Sequence, residues 1–226
     1  MFIPLHDANS LKHIRLQYVT LGLIAANVVV YLLTALGSSG FTEAAVIGLG
    51  YIPSTVYDIA ERPDEWVLVP DDLTYVTYAF LHGDIWHLGG NMLFLWVFGD
   101  NVEDALGHIR FLLFYLACAV AGAFAHGMVA PDSQAPLIGA SGAISGMFAA
   151  AMVMLQQTRR YDTGRFGLLP FALVWVGISV VFGMMGGPNG ENVAWIAHIG
   201  GFLAGLALVA PIMRLKRSGQ KSGPEA

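Results

Sequence analysis

Apolar residues occur along this chain in six long stretches that are separated by shorter polar segments. A helix needs about 20 mostly apolar residues to cross the hydrocarbon core of a bilayer, and each stretch is close to that length. The pattern therefore predicts an all-α membrane protein with six transmembrane helices. The predicted helices are Tyr18–Leu36, Trp86–Glu103, Phe111–Val129, Leu137–Gln157, Phe166–Met185 and Val193–Met213.

The composition agrees with this pattern. Of the 226 residues, 56% are hydrophobic and 12% are charged, and the mean hydropathy is +0.62. Soluble domains carry about 25% charged residues, so this chain has about half of the charge found in a water-soluble domain. A single cysteine excludes a disulfide scaffold, and a net charge of −5 offers no basic surface for nucleic acid.

The basic residues indicate the orientation of the bundle. With six spans, ten of the eleven Lys and Arg residues fall on one side, and only Arg62 falls on the other. Because basic loops stay on the cytoplasmic side, both termini are expected there. We expect one membrane domain over residues 1–217 and a disordered cytoplasmic tail over residues 218–226. The long outer segment Gly37–Ile85 is rich in apolar residues, which predicts short helices at the membrane interface.

Polar residues within the predicted helices are the candidates for function, because burying them in lipid is costly. The second, fourth and sixth helices run in the same direction, and each carries polar residues near its outer end. A rise of about 1.5 Å per residue places these groups within roughly 5–10 Å of a common depth. A shared depth is not expected of unrelated structural residues, so the sequence indicates one site of chemistry. Its members are Ser141, His198, His87 and Asn91.

Neighbouring glycines indicate how these groups meet. Close packing of the fourth and sixth helices would bring Ser141 Oγ within hydrogen-bond reach of His198. His87 and Asn91 are four residues apart and share one helical face, from which they can stabilise an oxyanion. Two glycine pairs have the GxxxG spacing that allows such close packing in a membrane, namely Gly142/Gly146 and Gly201/Gly205.

Five short motifs surround these residues. They are His82–Asn91 (HGDIWHLGGN), Asn101–Asp104 (NVED), Gly107–Phe111 (GHIRF), Gly139–Gly142 (GASG) and Ala197–Gly201 (AHIGG). In these motifs, and across nearly all six predicted helices, the chain resembles the rhomboid intramembrane serine proteases. The resemblance implies a rhomboid-like bundle with a catalytic dyad of Ser141 and His198. It also implies that His87 and Asn91 help to form the oxyanion hole, and that His82 supports the region around the site.

The resemblance implies an activity and a setting as well. The expected reaction is endoproteolysis of single-pass or other membrane proteins, near the outer ends of their transmembrane segments. No cofactor, metal or nucleic acid is expected, and the lipid bilayer is the partner common to enzyme and substrate. We expect a multi-pass protein of a bacterial-type inner cell membrane, with the active site open to the outer side. The oligomeric state is left open.

Two serines lie one turn apart on the fourth helix, and only one suits a nucleophile. Ser141 lies in the first turn, where backbone N–H groups have no intrahelical partner and can bind an oxyanion. Gly139 and Gly142 leave room for a substrate backbone beside it. Ser145 stands where some rhomboids carry an aromatic residue beneath the catalytic histidine. We expect Trp195 or Phe148 to replace that support, and no carboxylate to complete a triad.

Two further expectations concern the ends of the helices. The segment 182–190 joins the fifth and sixth helices above the site, and its glycines permit hinge motion. Met184 and Met185 in this segment are expected to form an adaptable gate for lateral substrate entry. At the opposite end of the bundle, Glu103 is expected to form an ion pair with Arg110.

Other classes of protein remain open. A transporter or channel would use the polar layer to bind a solute, but the cytoplasmic halves of the fourth and sixth helices are apolar and small. A membrane cytochrome would use His87 and His198 as axial haem ligands, which a visible absorption spectrum would show. A non-proteolytic membrane chaperone of the same fold is disfavoured, because both Ser141 and His198 are present.

Overall fold

The computed structural model describes residues 11–157, 170, 173–175, 177 and 195–221. Within these residues the chain consists of helices, connecting loops and one isolated β-bridge. Three short 3₁₀ turns lie between α3 and α5, at Asp64–Trp66, Asp71–Leu73 and Tyr78–Phe80. The α-helices are α1 (Tyr18–Leu36), α2 (Ser39–Leu49), α3 (Pro53–Val56), α4 (Thr74–Thr77), α5 (Ile85–Leu106), α6 (His108–Val129), α7 (Ser141–Gln157) and α8 (Trp195–Lys221).

Several of these helices are suited to a membrane. By length and hydropathy, α1, α6 and the part of α8 from Trp195 to Met213 can each span a bilayer, and α7 contains a shorter apolar helix, Ser141–Met154. The predicted all-α class is therefore confirmed for the described residues. The described helix α5, which the sequence predicted to be a span, is not among the helices that meet this measure. Most of the fifth predicted helix, Phe166–Met185, lies outside the described residues, so the count of six spans stays a prediction.

The start of α7 differs from the predicted start at Leu137. The backbone of Leu137 is paired with Tyr51 in the β-bridge. Tyr51 N–H donates to the Leu137 carbonyl at 3.1 Å, and Leu137 N–H donates to the Tyr51 carbonyl at 2.8 Å. These two bonds hold residue 137 in a bridged conformation, so the helix begins four residues later, at Ser141. At the other end of the chain, α8 continues through Lys221, which makes residues 218–221 helical where the sequence predicted disorder.

Local sequence explains where α5 begins and ends. Asp84 caps the helix, because its Oδ1 accepts hydrogen bonds from the N–H groups of Trp86 at 2.8 Å and His87 at 2.9 Å. Gly107 ends the helix with φ +84°, a conformation that favours glycine, and α6 begins at the next residue. The cap thus fixes the first turn of α5, which carries His87.

The segment between α1 and α5, residues 37–84, contains α2 to α4 and the 3₁₀ turns. The predicted short helices are therefore present in this α1–α5 connection. Arg62 holds two parts of it together, since its guanidinium donates to the Gly48 carbonyl at 2.9 Å and pairs with Asp71. The Arg62 side chain is buried, and this burial lowers the pKa of its guanidinium. The connection is thereby an ordered structure that packs on the bundle.

The helices α6, α7 and α8 form the densest part of the bundle. A methyl group on Gly201 would overlap the carbonyl oxygen of Gly142, and one on Gly205 would overlap that of Gly146. On its other side, Gly146 lies against the side chain of Cys118 on α6. The predicted close packing through the two GxxxG pairs is therefore confirmed, with backbone against backbone between α7 and α8.

Glu103 near the end of α5 does not form the expected pair with Arg110 within the described residues. Its carboxylate accepts hydrogen bonds from the N–H groups of Val19 at 3.0 Å and Thr20 at 2.8 Å, and from the Thr20 hydroxyl at 2.7 Å. It also pairs with His108 Nδ1 at 2.5 Å. These bonds satisfy N–H groups that the first turn of α1 cannot bond itself, so Glu103 fastens α1 to α5. The side chain of Arg110 is exposed instead.

Candidate active site

The structure brings Ser141 and His198 together. Ser141 is the first residue of α7, and His198 lies in the first turn of α8. His198 Nε2 lies 2.7 Å from Ser141 Oγ, although 57 residues separate the two in the chain. The backbone contact between Gly142 and Gly201, one and three residues further along their helices, makes this distance possible. The arrangement is that of a serine hydroxyl beside a base that can accept its proton.

The second nitrogen of the His198 ring has no hydrogen-bond partner within the described residues. Its Nδ1 is buried and unpaired in the part of the chain that the structure describes. The ring also lacks an aromatic neighbour among the described residues. Phe148, which was expected to support the ring, stacks on Trp175 instead, with ring centroids 4.6 Å apart. Trp195, the other expected support, makes no contact with an aromatic ring among the described residues.

The backbone before Ser141 has an unusual conformation. Gly139 has φ +119°, and its N–H donates to the Tyr78 carbonyl at 3.0 Å. The Ala140 carbonyl accepts the first hydrogen bond of the helix, from Ile144 N–H at 3.0 Å. The N–H groups of Ser141 to Ala143 therefore precede the hydrogen-bonded ladder of α7. With the positive end of the helix dipole, they form a place where negative charge is stabilised.

His87 faces the same small space. A Cβ atom on Gly139 would lie 2.7 Å from His87 Nε2, 2.8 Å from His87 Cε1 and 3.8 Å from Ser141 Oγ. The imidazole of His87 and the hydroxyl of Ser141 therefore border one space beside the Gly139 backbone. Any side chain at position 139 would fill this space, so the position favours glycine, as its φ of +119° also does.

Asn91 lies one turn below His87 on α5 and is buried. Its Nδ2 donates a hydrogen bond to the His87 carbonyl at 3.1 Å. A side-chain amide has two N–H donors, and this bond uses one of them. The structure thus places Asn91 on the expected face, with half of its donor capacity already used.

His82 lies beside His87, just before the start of α5. The two imidazole rings meet edge to face with centroids 5.0 Å apart. His82 is buried, and this burial, together with the nearby His87, lowers the pKa of the His82 imidazole to about 4. His82 is therefore neutral at physiological pH, and its ring packs against the ring of His87.

Ser145 is separated from this chemistry. It is completely buried, and its Oγ donates to the Ser141 carbonyl at 2.8 Å. This bond to the preceding turn is the usual one for a serine inside a helix. Met184 and Met185, the expected gate, lie outside the described residues. Within the described residues, no cluster of three His, Cys, Asp or Glu side chains has the spacing to hold a metal ion.

Sequence reasoning missed two tyrosines that hold the segment before α7. Tyr51 pairs with Leu137 through two backbone bonds, and Tyr78 accepts the Gly139 N–H. Both tyrosine side chains are almost completely buried. Neither tyrosine lies in a predicted transmembrane helix, and a polar residue inside an apolar stretch is the signal that indicates a site in this sequence.

The apolar helices make this chain an integral membrane protein. A family model described as the Rhomboid domain matches residues 71–215, which is more than half of the chain and includes every candidate site residue. The chain belongs to the rhomboid family.

Relatives with curated names agree with this assignment. Human Rhomboid-related protein 3 is 29% identical over 71% of this chain and 40% of its own length. Rhomboid protease GluP of Bacillus subtilis is 33% identical over 60% of this chain and 26% of its own length. Rhomboid-type serine protease 2 of Emericella nidulans is 28% identical over 72% of this chain and 30% of its own length. The chain thus matches at most about two fifths of the length of these relatives, two of which are named as proteases.

Proposed function

We propose that this protein is an intramembrane serine endopeptidase that cleaves membrane-anchored substrates with a dyad of Ser141 and His198. The observation that carries the proposal is the 2.7 Å contact between His198 Nε2 and Ser141 Oγ at the start of α7. Two relatives named as proteases support the same activity.

The proposed reaction proceeds through an acyl-enzyme. Neutral His198 accepts the proton of Ser141 at Nε2 while Oγ attacks the scissile carbonyl carbon. His198 then donates this proton to the leaving amine, and the peptide C–N bond breaks. Water, losing a proton to His198, attacks the ester carbon, and Ser141 Oγ recovers that proton as the carboxylic acid product leaves. No group outside the chain takes part apart from this water.

The oxyanion that forms in both steps has three donors in this proposal. The Ser141 N–H points from the first turn of α7, the His87 ring borders the same space, and Asn91 contributes its second N–H. Each such donor is worth about 3–4 kcal/mol of transition-state stabilisation in soluble serine proteases. Gly139 and Gly142 keep the approach open for the substrate backbone.

The proposal also includes the membrane topology of the protein and the routes by which water and substrate reach the site. A single membrane domain of residues 1–217 spans the bilayer six times with both termini in the cytoplasm, and the site opens to the outer side of an inner cell membrane. Water reaches the site from that side, because the polar side chains line the entry. Residues 182–190, with Met184 and Met185, close the site from above, and a substrate segment enters beside the fifth helix. Preferred substrates have small or helix-weakening residues near their outer ends, because a helix hides its carbonyl groups.

The test is cleavage of a model transmembrane substrate by the purified protein in proteoliposomes, together with labelling by a fluorophosphonate. This probe forms a bond between phosphorus and serine Oγ and releases fluoride. We expect Ser141→Ala and His198→Ala to abolish both cleavage and labelling. The matched control is Ser145→Ala, which removes a serine of the same helix and should keep most of both activities.

Other outcomes would contradict parts of this proposal. Full proteolysis by Ser141→Ala, or a label mapped to Ser145, would overturn the mechanism. If the wild-type protein binds membrane substrates but neither reacts with the fluorophosphonate nor cleaves these substrates, it belongs to a non-proteolytic branch of the fold. Crosslinking of residues 182–190 to the segment before α5 tests the gate, since unchanged cleavage after complete crosslinking would exclude it.

A further inference from the structure

Tyr78 contacts the backbone on both sides of Ser141. Its own carbonyl accepts the Gly139 N–H at 3.0 Å, two residues before the serine. Its hydroxyl oxygen lies 2.9 Å from the position that a Cβ atom on Gly142 would take, one residue after the serine. The backbone carbonyl and the side-chain hydroxyl of Tyr78 therefore lie on the two sides of the turn that begins α7.

The Tyr78 hydroxyl is itself fixed by α6. It donates to the Ala119 carbonyl at 2.8 Å, and it lies 3.3 Å from the position of a Cβ atom on Gly122. The side chain is 1% exposed, and its burial strongly raises the pKa of the phenol, so the hydroxyl keeps its proton and donates. Tyr78 therefore connects α6 to the start of α7. Its hydroxyl is bonded to α6 and packs against Gly142, and its carbonyl is bonded to Gly139.

We propose that Tyr78 is a positioning residue for the nucleophile turn, which holds Gly139 and Gly142 so that the Ser141 hydroxyl and N–H keep their catalytic orientation. This inference rests on the proposed serine endopeptidase function. Tyr78 does not touch the reacting atoms and acts through the two glycines. A displacement of the order of 1 Å at a reacting group lowers the rate of an enzyme by up to about 100-fold, so a loose turn has a measurable cost.

The test is Tyr78→Phe, which removes only the hydroxyl and leaves the ring and the backbone bond to Gly139. We expect kcat for a transmembrane substrate to fall about tenfold while KM changes less than about twofold. The rate constant of fluorophosphonate labelling should fall by a similar factor. The final amount of label should be unchanged, because the variant remains folded.

The matched control is Tyr115→Phe. Tyr115 is also completely buried on α6, but its hydroxyl has no hydrogen-bond partner among the described residues. This variant should label and cleave at the wild-type rate.

The outcomes separate the two proposals. If wild type is labelled and Tyr78→Phe keeps the wild-type rate constant, the positioning role is overturned and the protease function stands. If Tyr78→Phe loses labelled protein while the rate constant of the remainder is unchanged, the tyrosine only stabilises the fold, and the positioning role is again overturned. If wild type is not labelled at Ser141, the proposed function fails, and the positioning role fails with it.

Discussion

Gly201 on α8 lies so close to the carbonyl oxygen of Gly142 on α7 that a methyl group on Gly201 would overlap that oxygen. This contact lies next to the serine and histidine of the candidate site, so the two helices cannot separate here without moving Ser141 from His198. We expect Gly201→Ala to lower the free energy of unfolding by roughly 1–3 kcal/mol, because the backbone has to shift to fit the methyl group. The variant should also cleave substrate more slowly.

The measurements are thermal unfolding in detergent micelles and cleavage in proteoliposomes. Gly22→Ala on α1 is the control, because a Cβ atom there meets nothing within 4 Å. A Gly201→Ala protein with wild-type stability and activity would show that the contact between α7 and α8 is not needed.

Asn91 offers a test of the oxyanion hole. We expect Asn91→Ala to lower kcat about 100-fold with a much smaller change in KM, because in the proposed mechanism Asn91 donates to the oxyanion, and this bond forms only in the transition state. Asn27→Ala is a close control, since Asn27 Nδ2 also donates to the carbonyl four residues earlier, at 2.8 Å, but lies on α1. Equal losses of kcat in the two variants would mean that Asn91 acts only as a structural residue.

The sequence predicted those parts of the site that depend on short spacing. The helix face shared by His87 and Asn91 and the two GxxxG pairs follow from the periodicity of a helix, and the structure shows both. The approach of Ser141 to His198 was inferred from these spacings and from a common depth in the bundle. Such inferences work because the spanning segments of an all-α membrane protein are helices, whose regular rise relates position in the sequence to depth in the bilayer.

Contacts between distant, irregular segments were not predictable in the same way. Nothing in the local sequence shows that Leu137 pairs with Tyr51, so the predicted start of α7 is four residues too early. Glu103 was assigned to the nearby Arg110, whereas its carboxylate bonds to Thr20, 83 residues away. In both cases the partner comes from packing between elements, which the periodicity of apolar residues does not encode.

The bonds of Glu103 lead to a prediction about stability. We expect Glu103→Gln to lower the free energy of unfolding by roughly 1–3 kcal/mol, because a neutral amide replaces a buried carboxylate that accepts bonds from Val19 and Thr20. Thr20→Val removes only the hydroxyl bond and should cost less. Thermal or denaturant unfolding in micelles measures both, with the exposed Asp132→Asn as the control. A Glu103→Gln protein as stable as Asp132→Asn would contradict this role for the carboxylate.

The buried imidazole of His82 predicts a pH dependence of stability. In the folded protein the pKa of His82 is lowered to about 4 by burial, whereas a histidine in an unfolded chain has a pKa of about 6.5. Between these two values the unfolded state binds more protons than the folded state, so stability falls as the pH falls. The contribution of neutral His82 is complete above a pH of about 6.5 and is lost by a pH of about 4.

The variant His82→Gln cannot titrate in this window, so it isolates the contribution of the histidine. We expect the free energy of unfolding of wild type to fall more steeply than that of His82→Gln between pH 7.5 and pH 4.5, by roughly 1–3 kcal/mol in total. Asp84 does not disturb the comparison, because the pKa of its carboxyl is lowered by hydrogen bonds from His87 and Trp86, and it remains ionised throughout. Parallel pH profiles for the two proteins would show that His82 is protonated as readily in the folded state as in the unfolded chain, which would contradict this prediction.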